Sequence, residues 1–497
     1  MTLDKIFIHD LHCYEIADEK QRKNKLVSPN RYFNLQKLPT EGLREEFCEY
    51  IYHRGEVLTL SSIRTEFWPY NVLCKFLKDR YANLNSILDE DLEVLIRKLR
   101  GWMLSNGYNL TKKSKSPQYS ETKICNSDVI SYLRRFYTYI KPEEDISETE
   151  KDVWVISKLN MPVNNNPVHP MLSLNFKPIA QRKMREEVKK ASKMNLTYLA
   201  VPSVGQQIRA MKRFSEFLGR EYPLVESLTE IDREILEEYL IYINTEVEDK
   251  KSFASELGSL KSLLDVVGKI EESKVLCNIF LPDDISKGNA IPQYKSYSDE
   301  ELVRLNAAIV NMDEQVARVL ILHQMLGTRI SETLTLEQDC LVKINKRWHV
   351  KAYQHKTFKT IYKPANEDVV KLINKSIEYT NERFGKQKYV FVYDKDPTQP
   401  MRYGKIQYRV MAMVQEYQLR DDKGELFGVG THTFRHSYGR KLTEMNVDDQ
   451  TIAKLLGHAN TSSVKYYRKY GDLALADATR DARKSMDDIL RAFVEEW

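Results

Sequence analysis

Two stretches of this chain match each other without a gap at a constant offset of 141 residues. FLKDRYANLNSILDEDLEVLIRKL begins at Phe76, and FLGREYPLVESLTEIDREILEEYL begins at Phe217. The offset aligns Phe76 with Phe217, Tyr81 with Tyr222, Ser86 with Ser227, Asp91 with Asp232, Leu95 with Leu236 and Leu99 with Leu240. Two amphipathic helices of equal length can match by coincidence. Identity at loop positions as well as core positions favours a duplicated helical domain. Such a chain needs several hydrophobic cores, and 497 residues suit about two to four domains. An apolar content of 42%, with only 18 Gly and 16 Pro, suits packed and mostly helical domains.

The order of elements follows from periodicity. Residues 1–57 are mixed in character and suggest no role. From Leu58 to about Ile140, apolar residues recur at helical spacing, so 58–150 is read as a helical domain repeating the one further on. NMPVNNNPVHP, with its Pro and Asn, makes 151–178 an expected linker. Residues 179–285 form the second helical domain. Pro282, Gly288 and Pro292 mark a further linker over 286–297. Ser298 and Glu301 then make a capping box that opens helices over 299–312 and 314–327. RWHVKAYQHKTFKTIYKP switches to short β-branched and aromatic runs, which predicts a β-hairpin. Helices return from about Glu367.

Several function classes are excluded as expectations. No run of about 18 apolar residues would span a membrane, and the acidic N-terminal segment is not a signal peptide. Six scattered cysteines without a CxxC pair suit neither a disulfide framework nor a structural zinc site, and imply a reducing, cytoplasmic interior. No GxxxxGK[ST] segment or clustered carboxylate metal site occurs, so neither cofactor nor metal is expected.

The net charge of +5 does not by itself announce nucleic acid, but its distribution is uneven. Between Cys340 and Asn366 there is no acid, while Lys343, Lys346, Arg347, Lys351, Lys356, Lys359 and Lys363 all fall there. This is either a solvated basic hairpin or a surface that tracks phosphates.

The last third of the chain holds an ordered set: Arg329 in LGTRISE, Lys356 in the hairpin, His432 and Arg435 in THTFRHS, His458 in LLGH, and Tyr467 nine residues later. Any one of these has an ordinary structural explanation. Together they suit metal-free cleavage of a phosphodiester. A phenol can form a phosphotyrosine. Two guanidinium forks answer the charge on the phosphate oxygens. A lysine can protonate the leaving 5′ oxygen, and a histidine is poised to accept a proton near neutral pH. His432 and Arg435, three apart, share one helical face.

LGTRISETLTL, HTFRHSYGRKL and TIAKLLGHANTSSVKYYRKY resemble the signature segments of the tyrosine recombinase (phage integrase) family. The resemblance covers about 296–480, and residues 196–270 are similar to that family's core-binding domain. By size and the segment around Trp154, the chain also resembles the larger integrases of Tn554-like transposons. The resemblance implies a multidomain, mostly α protein. Helical N-terminal and core-binding (SAM-like) domains would precede a mixed α/β catalytic domain at 298–480 with a small β-hairpin sheet. It implies a site-specific recombinase acting through a 3′-phosphotyrosine. Tyr467 would be the nucleophile, Arg329 and Arg435 the phosphate grip, Lys356 the general acid, His432 the general base and His458 a hydrogen-bond donor.

Glu332 matches an acidic residue that orients the family's site, although a surface salt bridge is an equal alternative. Tyr466 and Lys359 are the competing nucleophile and acid. Asn446 stands where the family usually has Gly, at a helix end whose left-handed conformation Asn tolerates. Lys343, Lys346, Arg347, Lys351 and Lys359 would contact DNA. The implied partners are duplex DNA at recombination sites, further copies of the chain as dimer to tetramer, and other proteins of the same mobile element, on the nucleoid. Residues 481–497 form an amphipathic helix that either packs on its own domain or docks in trans. The rival functions are a type IB topoisomerase and a catalytically inert DNA-binding accessory protein.

Overall fold

The computed structural model describes residues 4–17, 19–24, 27–115, 122–142, 146–247, 253–285, 295–458 and 460–464. The expected C-terminal helix at 481–497 lies outside them. The chain is mostly helical, with small antiparallel sheets of two or three strands. It divides into two compact units, Met1–Asp145 and Ile146–Trp497.

In the first unit, strands β1 (Lys5–Phe7) and β2 (Tyr32–Asn34) pair antiparallel, with Ile6 opposite Phe33. Helices α1 (Glu41–Val57), α2 (Phe67–Arg80) and α3 (Leu92–Ser105) follow. A two-stranded ribbon, β3 (Thr111–Lys115) and β4 (Thr122–Asn126), leads into α4 (Asp128–Ile140). One apolar core runs from Ile6 to Phe136, so the expected division at residue 57 does not appear. Phe33 stacks on Phe67 at 4.0 Å and Phe47 on Phe136 at 3.8 Å, binding the early residues to the later helices. Each such buried ring contributes about 1.5–3 kcal/mol of burial. Three-residue strands are too short to show a period, so periodicity alone does not reveal them.

The second unit opens with β5 (Val153–Val155) paired to β6 (Ser173–Asn175), then α5 (Arg182–Asn195), α6 (Val201–Glu221), α7 (Arg233–Thr245) and α8 (Ala254–Ile270). Residues 151–178 are therefore not a linker. Trp154 and Phe176 are fully buried in the helical core. The Asn- and Pro-rich loop is held by its own side chains: Asn165 Oδ1 accepts from the Met171 amide at 3.1 Å and Asn166 Oδ1 from the Val168 amide at 3.1 Å. The same loop reaches the later half of this unit. Val168 joins that half's core, and its carbonyl accepts from the Tyr403 amide at 2.8 Å.

The 141-residue offset reappears as geometry. Strand β2 starts at Tyr32 and β6 at Ser173; α1 starts at Glu41 and α5 at Arg182; α3 starts at Leu92 and α7 at Arg233. Glu46 accepts hydrogen bonds from Ser86 Oγ at 2.5 Å and the Ile87 amide at 3.0 Å. Glu187 accepts from Ser227 Oγ at 2.5 Å and the Leu228 amide at 2.8 Å. Arg44 donates to the Leu38 carbonyl as Arg185 does to that of Ile179. Hydrogen bonds to a carboxylate contribute about 1.5–3 kcal/mol each, so each module spends a charged residue on fixing the same turn.

The remainder consists of α9 (Asp299–Ile309), α10 (Glu314–Leu326) and α11 (Ile330–Leu334), then a three-stranded sheet of β7 (Leu341–Ile344), β8 (Arg347–Gln354) and β9 (Lys359–Pro364). After α12 (Glu367–Phe384), the hairpin β10 (Val392–Tyr393) and β11 (Asp396–Pro400), and α13 (Tyr403–Glu416), helices α14 (Thr431–Glu444) and α15 (Asp449–Leu456) complete the described fold. The Ser298–Glu301 capping box is formed, as its spacing predicts.

Candidate active site

Helix α10 ends at Gly327, which turns the chain through a left-handed φ of +56°. A Cβ there would lie 2.3 Å from the Tyr438 ring, so no larger residue fits. The turn delivers Arg329 as N-cap of α11. Its amide donates to Glu332 Oε2 at 2.9 Å and its Nη1 to Glu332 Oε1 at 2.7 Å. Glu332 is only 1% exposed and takes a third hydrogen bond from Gln354 Nε2 at 3.0 Å. It is a buried anchor rather than a surface salt bridge.

Arg435, on the first turns of α14, is 1% exposed. Its Nη1 donates to the Gly327 carbonyl at 2.9 Å and its Nη2 to the Leu456 carbonyl. It thereby joins the end of α10 to the end of α15. Gly457 closes α15 in the left-handed conformation, with Gln354 packed where a Cβ would be, and His458 follows directly. His432 sits one residue inside α14, its ring 4.6 Å from that of His436. Lys356 is exposed in the turn between β8 and β9, close enough for its charge to bear on His432.

The site is cationic, and its histidines respond to that. Loss of hydration, then Arg435, Arg329, Lys363 and His432, pushes the His458 imidazole down to about 4. Burial, followed by His432 and Arg435, does the same to His436. His432 stays accessible, yet partial desolvation and the charges of Arg435, Arg329 and Lys356 lower it as well. These rings are neutral at pH 7, so each can accept a proton or donate one N–H. A bound phosphate would reverse the shifts, because an anion favours the protonated form.

Lys363 belongs by sequence to the basic run of the hairpin, but it is not a surface residue. Lys363 is 3% exposed; its Nζ donates to the Leu326 carbonyl and lies 5.4 Å from the Tyr438 ring centre. Lys363 and Arg435 thus hold the two successive carbonyls that precede Thr328 and Arg329. Burial first, then Arg435 and Arg329, drops the Lys363 ammonium to about 7. The signal was present: strand alternation puts Lys363 on the inward face with Ile361. His323, buried between the Thr431 carbonyl at 2.7 Å and the Thr333 hydroxyl at 3.3 Å, was also missed.

The buried Lys363 costs stability while it is charged. Above pH 7 the folded chain releases this proton, whereas the unfolded chain holds it until about 10.5, so stability rises with pH over that window. Thermal melts of Lys363→Met against wild type should show the variant gaining most at pH 6, on the order of 4 kcal/mol at most, with the gain shrinking towards pH 10. A gain independent of pH would contradict the buried ammonium.

Of the basic surface residues, Lys343, Lys346, Arg347 and Lys359 are exposed on the three-stranded sheet, with Lys343 over the Trp348 ring at 4.6 Å. Lys351 is instead tied to Asp339 at 2.8 Å. Tyr466 and Tyr467 lie outside the described residues.

Residues 295–472 match the model of the phage integrase family, a span that takes in every site residue above together with Tyr466 and Tyr467. This stretch of the chain is similar to the phage integrase family. Transposase B from transposon PsiTn554 of Staphylococcus aureus is 24% identical over 416 residues, covering 82% of this chain and 65% of the relative. The chain therefore spans somewhat less than two thirds of that relative's length. Tyrosine recombinase XerA from Pyrococcus horikoshii is 26% identical over 235 residues, 45% of this chain and 71% of the relative. Among solved structures, the XerH site-specific recombinase in a post-cleavage complex with difH substrate aligns over 62% of this chain and 90% of its own, at 17% identity and a TM-score of 0.46. The cationic side-chain cluster lies within the matched stretch.

Proposed function

We propose that the chain is a site-specific DNA recombinase of a mobile element, cutting and rejoining duplex DNA through a 3′-phosphotyrosine. The observation that carries this reading is the gathering of Arg329, Arg435, His432 and His458 into one cationic cluster whose only described carboxylate, Glu332, is already committed to Arg329. Such a cluster lacks an anion, and a phosphodiester supplies one.

In this reading the Tyr467 oxygen attacks the scissile phosphorus while its proton passes to the neutral His432. Arg329, oriented by Glu332, and Arg435 hold the non-bridging oxygens, with His458 donating a further hydrogen bond. The bond from phosphorus to the 5′ oxygen breaks, and Lys356 protonates that oxygen. Its place in an exposed turn lets it approach the DNA from outside. A 5′ hydroxyl from a partner strand then attacks the phosphotyrosine and reverses each transfer, so the bond energy is kept. The exposed lysines of the sheet would follow the backbone, and the helical module at 179–285 would close on the other side of the duplex.

The relative named as a transposase supports the mobile-element setting. The partners would be duplex DNA at recombination sites, further copies of the chain in a dimer or tetramer, and other proteins of the element. The site of action would be the cytoplasmic nucleoid; among the described residues no helix is long and apolar enough to cross a membrane. The test is a nicked duplex carrying the ends of the element that encodes the chain, incubated in EDTA and resolved on a denaturing gel. A covalent adduct is expected, and its absence on a verified end would leave an accessory DNA-binding role.

A further inference from the structure

The first unit repeats the scaffold of the helical module at 179–285, yet it distributes positive charge differently. On α6, Arg209 and Lys212 face an open cleft against Ser255 and Ser259 of α8. At the 141-residue offset these two cations become Trp68 and Asn71. The first unit has instead gained charge at one connection. Helices α7 and α8 are joined by residues 246–253, whereas α3 and α4 are joined by residues 106–127, which contain the β3–β4 ribbon.

From Arg97 to Lys141 there are ten Lys and Arg against two acids, Glu121 and Asp128. The ribbon is exposed: Lys112 lies opposite Cys125, and Lys113 opposite Ile124, which is 72% exposed. Lys112 meets Asp128 at 2.5 Å in an ion pair about half exposed on both sides, which contributes little to folding. Among the described residues, Lys113, Arg97 and Arg100 form no ion pair and all three are exposed. A solvated two-stranded ribbon gains nothing for its own core, and such hairpins are marginal by themselves. Its width suits the major groove of B-form DNA, which admits a two-stranded ribbon, and its charge suits the phosphates that line the groove.

We propose that the first unit is a second copy of the helical DNA-gripping module, and that it holds duplex DNA through the inserted β3–β4 ribbon rather than through the helix cations of the other copy. This rests on the recombinase reading above. Lys112 and Lys113 neutralise phosphates from the two faces of the ribbon, while Ile124, paired with Lys113, presents an apolar contact.

The probe is a 60-base-pair duplex of mixed sequence, titrated with the full chain by fluorescence anisotropy between 50 and 200 mM KCl. The double variant Lys112→Gln, Lys113→Gln is compared with Lys75→Gln, Lys78→Gln, which removes the same charge from exposed positions of α2. Each lost phosphate contact flattens the slope of log affinity against log salt by about 0.9, so the ribbon variant should lose about 1.8 of slope and bind about tenfold more weakly at 100 mM. The α2 variant should keep nearly the wild-type slope, and all three chains should melt alike. A ribbon variant with the wild-type slope, or an equal loss in the α2 variant, overturns the proposal while adduct formation on nicked ends leaves the recombinase reading standing. A wild-type chain that binds no duplex overturns both.

Discussion

Arg435→Ala is expected to lower adduct formation on a nicked end by about 10³-fold or more, the scale seen when one preorganised donor to a developing anion is removed. The structure explains why the loss should exceed that of a simple charge. Arg435 is 1% exposed and donates to two backbone carbonyls, Gly327 at the end of α10 and Leu456 at the end of α15. Alanine would leave those carbonyls buried without this partner, at about 1–3 kcal/mol each. It would also free the Gly327 turn from the side that aims Arg329. A melting curve measured alongside separates the two effects. Arg435→Lys keeps the charge but cannot fork between both carbonyls, so it should recover part of the stability and little of the rate. An alanine variant within tenfold of wild type would mean that Arg435 is structural only.

The parts of this site legible in the sequence are those fixed by neighbours along the chain. Ser298 and Glu301, three residues apart, close a capping box by themselves. Asn446 takes the left-handed conformation, φ 55°, that a helix end asks of it, and Gly457 ends α15 in the same way. His432 and Arg435 are one helical turn apart, so a shared face follows from spacing alone.

What was not legible depends on contacts made across the fold. Lys363 looks like one more surface lysine until Tyr438 and the end of α10 close over it. Trp154 and Phe176 flank a stretch rich in Pro and Asn, which composition marks as a linker, yet both belong to a core. Ile6 and Phe33 lie far apart in sequence and meet only through strands of three residues. The duplication shows both limits. Letters match from Phe76 to Leu99, but the agreement of Glu46 with Glu187 is a matter of hydrogen bonds and reaches back well before the matching letters begin.

In this mechanism the whole reaction turns on one oxygen atom. Two adjacent tyrosines follow His458, and the recombinase reading assigns the nucleophile to the second by its nine-residue spacing. Removing the hydroxyl of a covalent nucleophile eliminates the intermediate, whereas removing that of its neighbour costs at most a contact. The deciding measurement is adduct formation on the nicked end by Tyr467→Phe and Tyr466→Phe, each checked for an unchanged melting curve. The account predicts no adduct from Tyr467→Phe and a near wild-type yield from Tyr466→Phe. An adduct that survives in Tyr467→Phe and disappears in Tyr466→Phe would contradict it.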